Sequence, residues 1–420
     1  MSKTLLHSIS QLYQVSNTKE TYKAGAAMQD ACFTENAYIL LDNALISEIG
    51  NMAGLTAEKK QNLAESIDCT GRIVLPGFVD SHTHIVFPKT REEEYLFKIQ
   101  GMSYEEIAQK GGGILNSAEA LQHISEEELL LASLQRCQNV LKTGTTTLEI
   151  KSGYGLSLQG ELKLLRVANA LKKHTSQTIK TTFLGAHALP LEYKTKREKY
   201  IELVCEEMIP QVAEDKLADF IDVFCETGFF TQAETEKILL KGREYNLPAK
   251  IHVNQLDFSG GVQLGTRLGA ISVDHLERIT EEDIFCLQEK QKNSPLAFTI
   301  PTLLPSCSFF LREPYSPARK LIAAGLPVCL ASDYNPGSSP SGNMAFVMSL
   351  ACTYMRMLPA EALSAMTLNG AFALRLSEKV GSIEVGKQAD LLITKPLQHL
   401  AGIPYRFGEN CVERVICKGN

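Results

Sequence analysis

The chain has 420 residues, and 42 lysines and arginines set against 48 aspartates and glutamates give a net charge of −6. This mild acidity disfavours nucleic acid or another polyanion as the partner. No window approaches about eighteen consecutive apolar residues, and the first residues lack a signal-peptide pattern, so we expect no membrane span and no secretion. The 11 cysteines include no CxxC pair, which is typical of reduced thiols in the cytoplasm. We interpret all of them as small hydrophobic side chains.

Short strand-like runs at both ends of the chain predict a small β domain. Residues 37–43 and 44–50 are apolar or alternating, and residues 381–394 and 412–418 show the same pattern near the end. We therefore expect residues 1–72 and 380–420 to form one composite β-sandwich domain.

The middle of the chain alternates between strand and helix patterns. Eight apolar or β-branched runs occur, at 73–79, 145–150, 179–186, 219–225, 248–252, 269–274, 296–301 and 326–332. Helical patterns lie between them, and one begins with a capping box formed by Ser125 and Glu128. This alternation predicts an α/β fold with a TIM-type (β/α)8 barrel over residues 73–379. Residues 85–124 exceed an ordinary strand–helix connection and contain Gly111-Gly112-Gly113, so we expect a covering segment there.

Polar residues follow the predicted strands at the ends where barrel chemistry is found. In chain order they are His82 and His84, Lys151 and Tyr154, His187, Glu226, His252, His275, Thr302 and Asp333. Because the ends of parallel barrel strands converge on one face, we expect these side chains to line a common site.

The pair His82 and His84 is the first of these groups. The two-residue period of a strand points both imidazoles to the same side, where they suit a cation such as Zn²⁺ or Fe²⁺. Taken alone, they could equally be hydrogen-bonded loop histidines. His252 could be a core histidine and Asp333 a turn residue. Their joint occurrence with His275 at later strand ends favours a metal site.

Several segments resemble a known family. Leu75-Pro-Gly-Phe-Val-Asp-Ser-His-Thr-His resembles the opening metal motif of the amidohydrolase superfamily, and Gly381-Ser-Ile-Glu-Val-Gly-Lys-Gln-Ala-Asp-Leu resembles the return strand of its β domain. The region around Arg91, Lys151-Ser-Gly-Tyr-Gly-Leu, Gly185-Ala-His-Ala-Leu-Pro and Asp333-Tyr-Asn-Pro-Gly-Ser are similar to the imidazolonepropionases within that superfamily. The resemblance runs from about residue 37 to the C-terminus.

This resemblance implies hydrolysis of 4-imidazolone-5-propanoate to N-formimidoyl-L-glutamate, a step of histidine degradation. It implies one Zn²⁺ or Fe²⁺/Fe³⁺ per chain, a small-molecule substrate and a cytoplasmic homodimer. The implied metal ligands are His82, His84, His252 and Asp333. The implied catalytic residues are His275 and Asp333, and the implied substrate-binding residues are Arg91, Tyr154, His187, Gln255, Asn335, Gly337 and Ser338.

Six of the seven substrate-binding residues also have a structural interpretation. Arg91 could form a helix-surface ion pair with Glu94, Tyr154 could pack on the barrel rim, and His187 could cap a backbone group. Asn335, Gly337 and Ser338 could simply form a turn.

Two further residues bear on the chemistry. Gln255 cannot shuttle a proton, which favours His275 and Asp333 as proton carriers and disfavours a deaminase. Lys151 is interpreted as structural.

Two other functions remain open from the sequence. One is a different cyclic amidohydrolase or aminohydrolase of the same superfamily. The other is a non-catalytic structural relative, which the four filled ligand positions disfavour.

Overall fold

Two sheets organise the chain in the computed structural model, which describes residues 3–102 and 112–420. A seven-stranded sheet takes strands from both ends of the sequence, and an eight-stranded parallel sheet forms the middle. The α/β class, the TIM-type barrel and the β domain made from both termini are therefore confirmed.

The terminal sheet has the strand order β15-β14-β5-β1-β2-β3, with β4 paired to β1. Its strands are β1 (Lys3–Tyr13), β2 (Phe33–Asp42), β3 (Leu45–Asn51), β4 (Glu65–Asp68), β5 (Ile73–Pro76), β14 (Leu391–Thr394) and β15 (Val412–Ile416). The sheet has its own apolar core, in which side chains from early strands such as Leu6 and Ile39 meet Leu391 and Ile416 from the C-terminal end.

The barrel strands pair in chain order and in parallel. They are β6 (Phe78–Asp80), β7 (Thr145–Lys151), β8 (Thr178–Ala186), β9 (Phe220–Cys225), β10 (Lys250–Val253), β11 (Ser272–His275), β12 (Ile300–Leu303) and β13 (Cys329–Leu330). The first and last strands meet just beyond their ends, where the Asp333 amide donates to the His82 carbonyl at 3.0 Å and the His84 amide donates to the Tyr334 carbonyl at 2.9 Å. Closure of the barrel thus joins two segments expected to hold the metal.

The predicted strand at 73–79 is two strands, because the run divides at Gly77. β5 pairs with β1 and β14 in the terminal sheet, whereas β6 pairs with β7 in the barrel. The chain passes from the terminal sheet into the barrel at Gly77, which we call the crossing point. A Cβ at Gly77 would lie 2.1 Å from Oγ1 of the buried Thr146, so only glycine fits there. The division into residues 1–72 with 380–420 and residues 73–379 stays a prediction.

Helices follow the barrel strands and cover the outside of the barrel. Within the described residues they are α1 (Glu92–Ile99), α2 (Ile114–His123), α3 (Glu126–Lys142), α4 (Leu158–His174), α5 (Arg197–Leu203), α6 (Ile209–Glu214), α7 (Gln232–Glu244), α8 (Gly261–Leu268), α9 (Glu281–Asn293), α10 (Pro305–Leu311), α11 (Ala318–Ala323), α12 (Met344–Thr353), α13 (Pro359–Ala365), α14 (Leu368–Ala373) and α15 (Gly402–Tyr405), with a π-helical turn at Val204–Met208. The capping box predicted at Ser125 and Glu128 is confirmed, and α7 and α9 begin with capping boxes at Thr231 and Thr280.

The predicted covering segment is described only in part. Its described portion carries α1 and α2, while Gly111 and the rest of residues 103–111 lie outside the described residues. Across residues 3–102 and 112–420, no helix is both long and apolar enough to cross a membrane.

The crossing point at Gly77 yields a stability prediction. Gly77→Ala should lower the free energy of unfolding by about 1–3 kcal/mol, because its methyl group overlaps the Thr146 side chain and forces buried elements apart. Urea unfolding followed by circular dichroism measures the change. Gly54→Ala is the matched control, since no atom lies within 4 Å of a Cβ built at that position. Equal midpoints for the two variants would contradict this account of the crossing point.

Candidate active site

A cavity of about 720 Å³ opens at the carboxyl ends of the barrel strands. The predicted site residues that line it are His84, Arg91, Tyr154, His187, His252, Gln255, His275, Asp333, Asn335, Gly337 and Ser338. His82 is fully buried and contacts the rings of His84 and His252 from below the cavity surface. The structure therefore brings the predicted metal, catalytic and substrate-binding residues to one place, whereas Lys151, Glu226 and Thr302, which were also expected to line the site, do not line this cavity.

His82, His84 and His252 form a compact group of possible metal ligands. One ligand atom from each lies within 4.8 Å of the others. Oδ1 of Asp333 lies 3.5 Å from Nε2 of His82 and 3.7 Å from Nε2 of His84. Three imidazoles and one carboxylate make a donor set that Zn²⁺ and Fe²⁺ both accept.

Two observations show that these residues fit a metal ion. Nε2 of His82 is buried and has no hydrogen-bond partner among the described residues, which is costly unless a ligand satisfies it. Burial, reinforced by the positive charge of Lys151, holds the pKa of His82 well below its usual range. Burial and the neighbouring His187 do the same for the pKa of His84. Neutral imidazoles keep the lone pair that a metal requires.

Buried carboxylates lie behind two of the histidines. Nδ1 of His82 lies 2.6 Å from Oδ2 of Asp274, and Nδ1 of His252 lies 3.0 Å from Oδ2 of Asp222. The contact with Asp274 is a hydrogen bond, which fixes the tautomer of His82 and leaves its Nε2 available to a metal, whereas the Asp222 carboxylate lies at ion-pair distance from His252 without hydrogen-bond geometry. The sequence analysis missed both carboxylates, although each is an acidic residue inside a predicted barrel strand.

Two buried lysines neutralise this layer of carboxylates. Nζ of Lys151 donates to Asp222 at 2.7 Å and to Glu149 at 3.0 Å, and it lies 3.8 Å from Asp274. Burial lowers the pKa of Lys151, but the charges of the three carboxylates outweigh it and raise the pKa overall. Lys250 donates to Glu149 at 2.9 Å. Lys151 is therefore a structural ion-pair partner, as the sequence predicts.

His275 and Asp333 both lie beside the histidine group. The ring of His275 lies 5.3 Å from that of His252, and its backbone has a φ of 87°, with the carbonyl held by Oγ of Ser316 at 2.7 Å. Burial lowers the pKa of His275, but the nearby Glu277 carboxylate raises it overall. Burial raises the pKa of Asp333. Both shifts favour the protonated form of the side chain.

Arg91 is an ion-pair partner of Glu94, but the pair is not on the surface. Nε and Nη2 of Arg91 both donate to Oε2 of Glu94, at 2.9 and 2.6 Å, and the two side chains are only 7% and 6% exposed. A Cβ at Gly337 would lie 2.4 Å from Nη1, so the guanidinium needs glycine there. The surface interpretation is thus wrong. Lys98, which the sequence analysis missed, also lines the cavity and donates to the Gly337 carbonyl at 2.7 Å.

Tyr154 and His187 form one wall of the cavity. Their rings lie 5.5 Å apart, and His187 stacks on His84 at 5.2 Å. Nδ1 of His187 lies 2.9 Å from the Gly153 carbonyl, which leaves Nε2 as an acceptor, and burial lowers the pKa of His187 to about 3. Gly153 has a φ of 109°, and a Cβ there would strike His187 at 2.7 Å.

The Asn335 side chain holds the loop after β13 in place. Its amide donates to the Asp333 carbonyl at 2.7 Å, and its oxygen accepts from the Gly337 and Ser338 amides at 2.8 Å each. Oγ of Ser338 in turn donates to Oδ2 of Asp333 at 3.2 Å. The turn interpretation therefore applies to Asn335, and the turn orients Asp333.

Gln255 lies opposite this loop. Its backbone amide donates to Glu226 at 2.8 Å, and its side-chain amide donates to Sγ of Cys307 at 3.4 Å. Cys307 is therefore more than apolar filling, in contrast to the interpretation from the sequence.

Comparisons with known proteins identify the family of this chain. The amidohydrolase family model matches residues 73–420. An adenosine deaminase from Xanthomonas campestris with bound zinc superimposes with a TM-score of 0.71 at 18% identity, covering 100% of this chain and 92% of that one. A guanine deaminase from C. acetobutylicum with bound guanine gives 0.68 at 18% identity, covering 100% and 99%. At such low identity these structures show the shared fold alone.

Sequence relatives are more specific. Imidazolonepropionases from Flavobacterium johnsoniae and Flavobacterium psychrophilum are each 48% identical to this chain and cover 99% of both sequences. One from Clostridium tetani is 42% identical over 95% of this chain and 93% of its own length. The chain belongs to the amidohydrolase family and, within it, to the imidazolonepropionases. It is a hydrolase of carbon–nitrogen bonds.

The carboxylates behind the histidines yield a prediction on metal affinity. Asp274→Asn should weaken metal binding by about 10- to 100-fold, because His82 loses the carboxylate that orients its ring and raises its basicity. Competition with a chelator of known affinity measures the change.

Asp219→Asn is the matched control, because Asp219 pairs with Lys180 just before β9 and does not contact the histidines. If Asp274→Asn held the metal as tightly as the control, Asp274 would have no role in ordering the site.

Proposed function

We propose that the chain hydrolyses 4-imidazolone-5-propanoate to N-formimidoyl-L-glutamate through the site described above. The observation that carries the proposal is the placement of the His82, His84, His252 and Asp333 group in one cavity with the buried Arg91. The group of three histidines and Asp333 supplies a metal site, and Arg91 supplies a cation for the carboxylate of the substrate. The identity of the relatives supports the same substrate.

The resident metal in this proposal is one Zn²⁺ or iron ion per chain, held by His82, His84, His252 and Asp333. When bound, such an ion lowers the pKa of a water ligand towards about 7 and polarises a carbonyl oxygen. The chain contributes buried imidazoles, and the Asp274 and Asp222 carboxylates lie behind two of them, so the ligands need little reorganisation.

Proton movement falls to Asp333 and His275. Water adds to the ring carbonyl carbon, the bond from that carbon to nitrogen breaks, and the proton given up by water reaches the leaving nitrogen. Asp333 accepts a hydrogen bond from Ser338, and its pKa is raised, so it can take a proton and release it again. His275, with Glu277 beside it, can donate to the developing charge. Gln255 holds the ring through its amide and carries no proton.

Substrate orientation falls to residues on the other side of the cavity. Arg91 and Lys98 provide positive charge near Gly337, and Glu94 fixes the guanidinium. His187 presents Nε2 as an acceptor for a ring N–H, and Tyr154 packs against it. A planar ring bound between these groups places its propanoate towards Arg91.

We further propose that the chain acts in the cytoplasm as a homodimer. The absence of CxxC pairs among its 11 cysteines and the resemblance to the imidazolonepropionases support this assignment.

A substrate panel tests the proposed function. Freshly prepared imidazolonepropanoate should be consumed, with loss of its absorbance and appearance of N-formimidoyl-L-glutamate, while a hydantoin and a nucleobase remain unchanged. Metal content is measured on the same sample. Turnover of another ring with imidazolonepropanoate untouched would identify a different cyclic amidohydrolase. A chain that binds no metal and turns over no ring would be a structural relative.

The role of Arg91 is tested by Arg91→Lys, which keeps the charge and the partner for Glu94. We expect KM to rise about 10- to 100-fold with kcat nearly unchanged, because about 1.5–3 kcal/mol of charged hydrogen bonding is lost from binding alone. Steady-state kinetics gives both constants.

Arg166→Lys is the control, since Arg166 forms an exposed pair with Glu126 on the outside of the barrel. An analogue whose carboxylate is replaced by an amide should bind the wild type and the Arg91 variant equally. An unchanged KM for the natural substrate would remove Arg91 from the binding site.

A further inference from the structure

A second group of ligand-type atoms lies beside the first. A ring nitrogen of His275, the Glu277 carboxylate and Sγ of Cys307 lie within 4.8 Å of one another, and we call these three residues the outer cluster. Their exposed fractions are 2%, 7% and 1%. Nδ1 of His275 and Oε2 of Glu277 have no hydrogen-bond partner in the described part of the chain. Two unsatisfied buried ligand atoms beside a thiol point to a bound group.

The outer cluster is held by the backbone of two neighbouring barrel segments. His275 ends β11, and Glu277 follows two residues later, where Oε1 accepts from Oγ of Ser308 at 3.0 Å. Cys307 lies in α10, which follows β12. Nδ1 of His275 lies 3.7 Å from Oε1 of Glu277, which is longer than a good hydrogen bond. The ion pair alone therefore leaves the Nδ1 atom unsatisfied.

We propose that the outer cluster binds a second ion of the zinc class when zinc exceeds the amount that fills the resident site. Imidazole nitrogen, carboxylate oxygen and thiolate sulfur are the three ligand types of protein zinc sites. A thiolate disfavours Mg²⁺ and Ca²⁺, which take oxygen ligands. Three protein ligands leave a fourth position for water.

The second ion should bind more weakly than the resident one. Sγ of Cys307 already accepts a hydrogen bond from the Gln255 side-chain amide at 3.4 Å, so zinc must displace this donor to bind. The outer cluster also offers three ligands, whereas the resident site offers four. The outer cluster therefore fills only at higher free zinc.

Zinc bound to the outer cluster should inhibit hydrolysis, an inference that rests on the proposed function. A ring nitrogen of His275 becomes a metal ligand, and the ring can no longer move protons for hydrolysis. Zinc then supports activity at one equivalent and inhibits at excess.

Cobalt substitution tests the site directly. Metal-free protein is titrated with Co²⁺, and absorbance is recorded with metal content after equilibrium dialysis. We expect a first ion without a thiolate-to-cobalt charge-transfer band and a second ion that produces this band in the near ultraviolet. Cys307→Ala should bind the first ion and lose both the second ion and the band.

Cys137→Ala is the matched control, because Cys137 is equally buried but packs among apolar side chains elsewhere in the barrel. It should keep both ions and the band. Glu277→Gln provides a second test that leaves the thiol in place, and it should weaken the second ion at least tenfold. Wild-type protein that binds only one cobalt ion and shows no band at excess metal would overturn the proposal, as would a Cys307→Ala chain that still binds two.

The two proposals fail in different ways. Metal content and the cobalt band need no substrate, so two bound ions without turnover would support the outer cluster and contradict the proposed function. Turnover with one ion and no inhibition by excess zinc would overturn the outer cluster alone.

Discussion

The site depends on a buried layer of opposite charges inside the barrel. Lys151 lies within ion-pair distance of Glu149, Asp222 and Asp274, and Lys250 lies within ion-pair distance of Glu149; all five side chains are buried. Removing one partner from such a network costs about 3–5 kcal/mol, because a charge is left unpaired in a medium of low dielectric. The network therefore fixes the two aspartates that orient His82 and His252.

The fold delivers these charges by strand register. β10 and β11 pair so that His252 lies opposite Asp274, and Asp274 in turn reaches His82 at the far end of the sequence. Barrel closure adds the direct hydrogen bond between the Asp333 amide and the His82 carbonyl. Ligands from three strand ends thus meet because the barrel closes, and the cavity with Arg91 lies directly above them.

The sequence predicts the barrel and the strand-end positions of the candidate ligands, because both depend on local signals, while the choice of ligands among those residues rests on the family resemblance. Eight strand-like runs followed by polar residues place His82, His84, His252 and Asp333 without knowledge of the register. Asp222, Asp274 and Lys250 could not be assigned, since their partners lie on other strands and only pairing shows which side chains meet. Lys98 was missed because its contact to Gly337 spans 239 residues. The sequence predicts a single strand across Gly77, because an apolar run does not reveal that the residues before it join one sheet and the residues after it join another.

The central claim is that His82, His84, His252 and Asp333 together hold the resident metal ion. A crystal of the chain loaded with one equivalent of zinc, measured on both sides of the zinc absorption edge, tests this claim most directly. The account predicts one anomalous peak per chain, about 2.0–2.2 Å from a nitrogen of each histidine and an oxygen of Asp333. A peak at any other group of residues at this loading would contradict it.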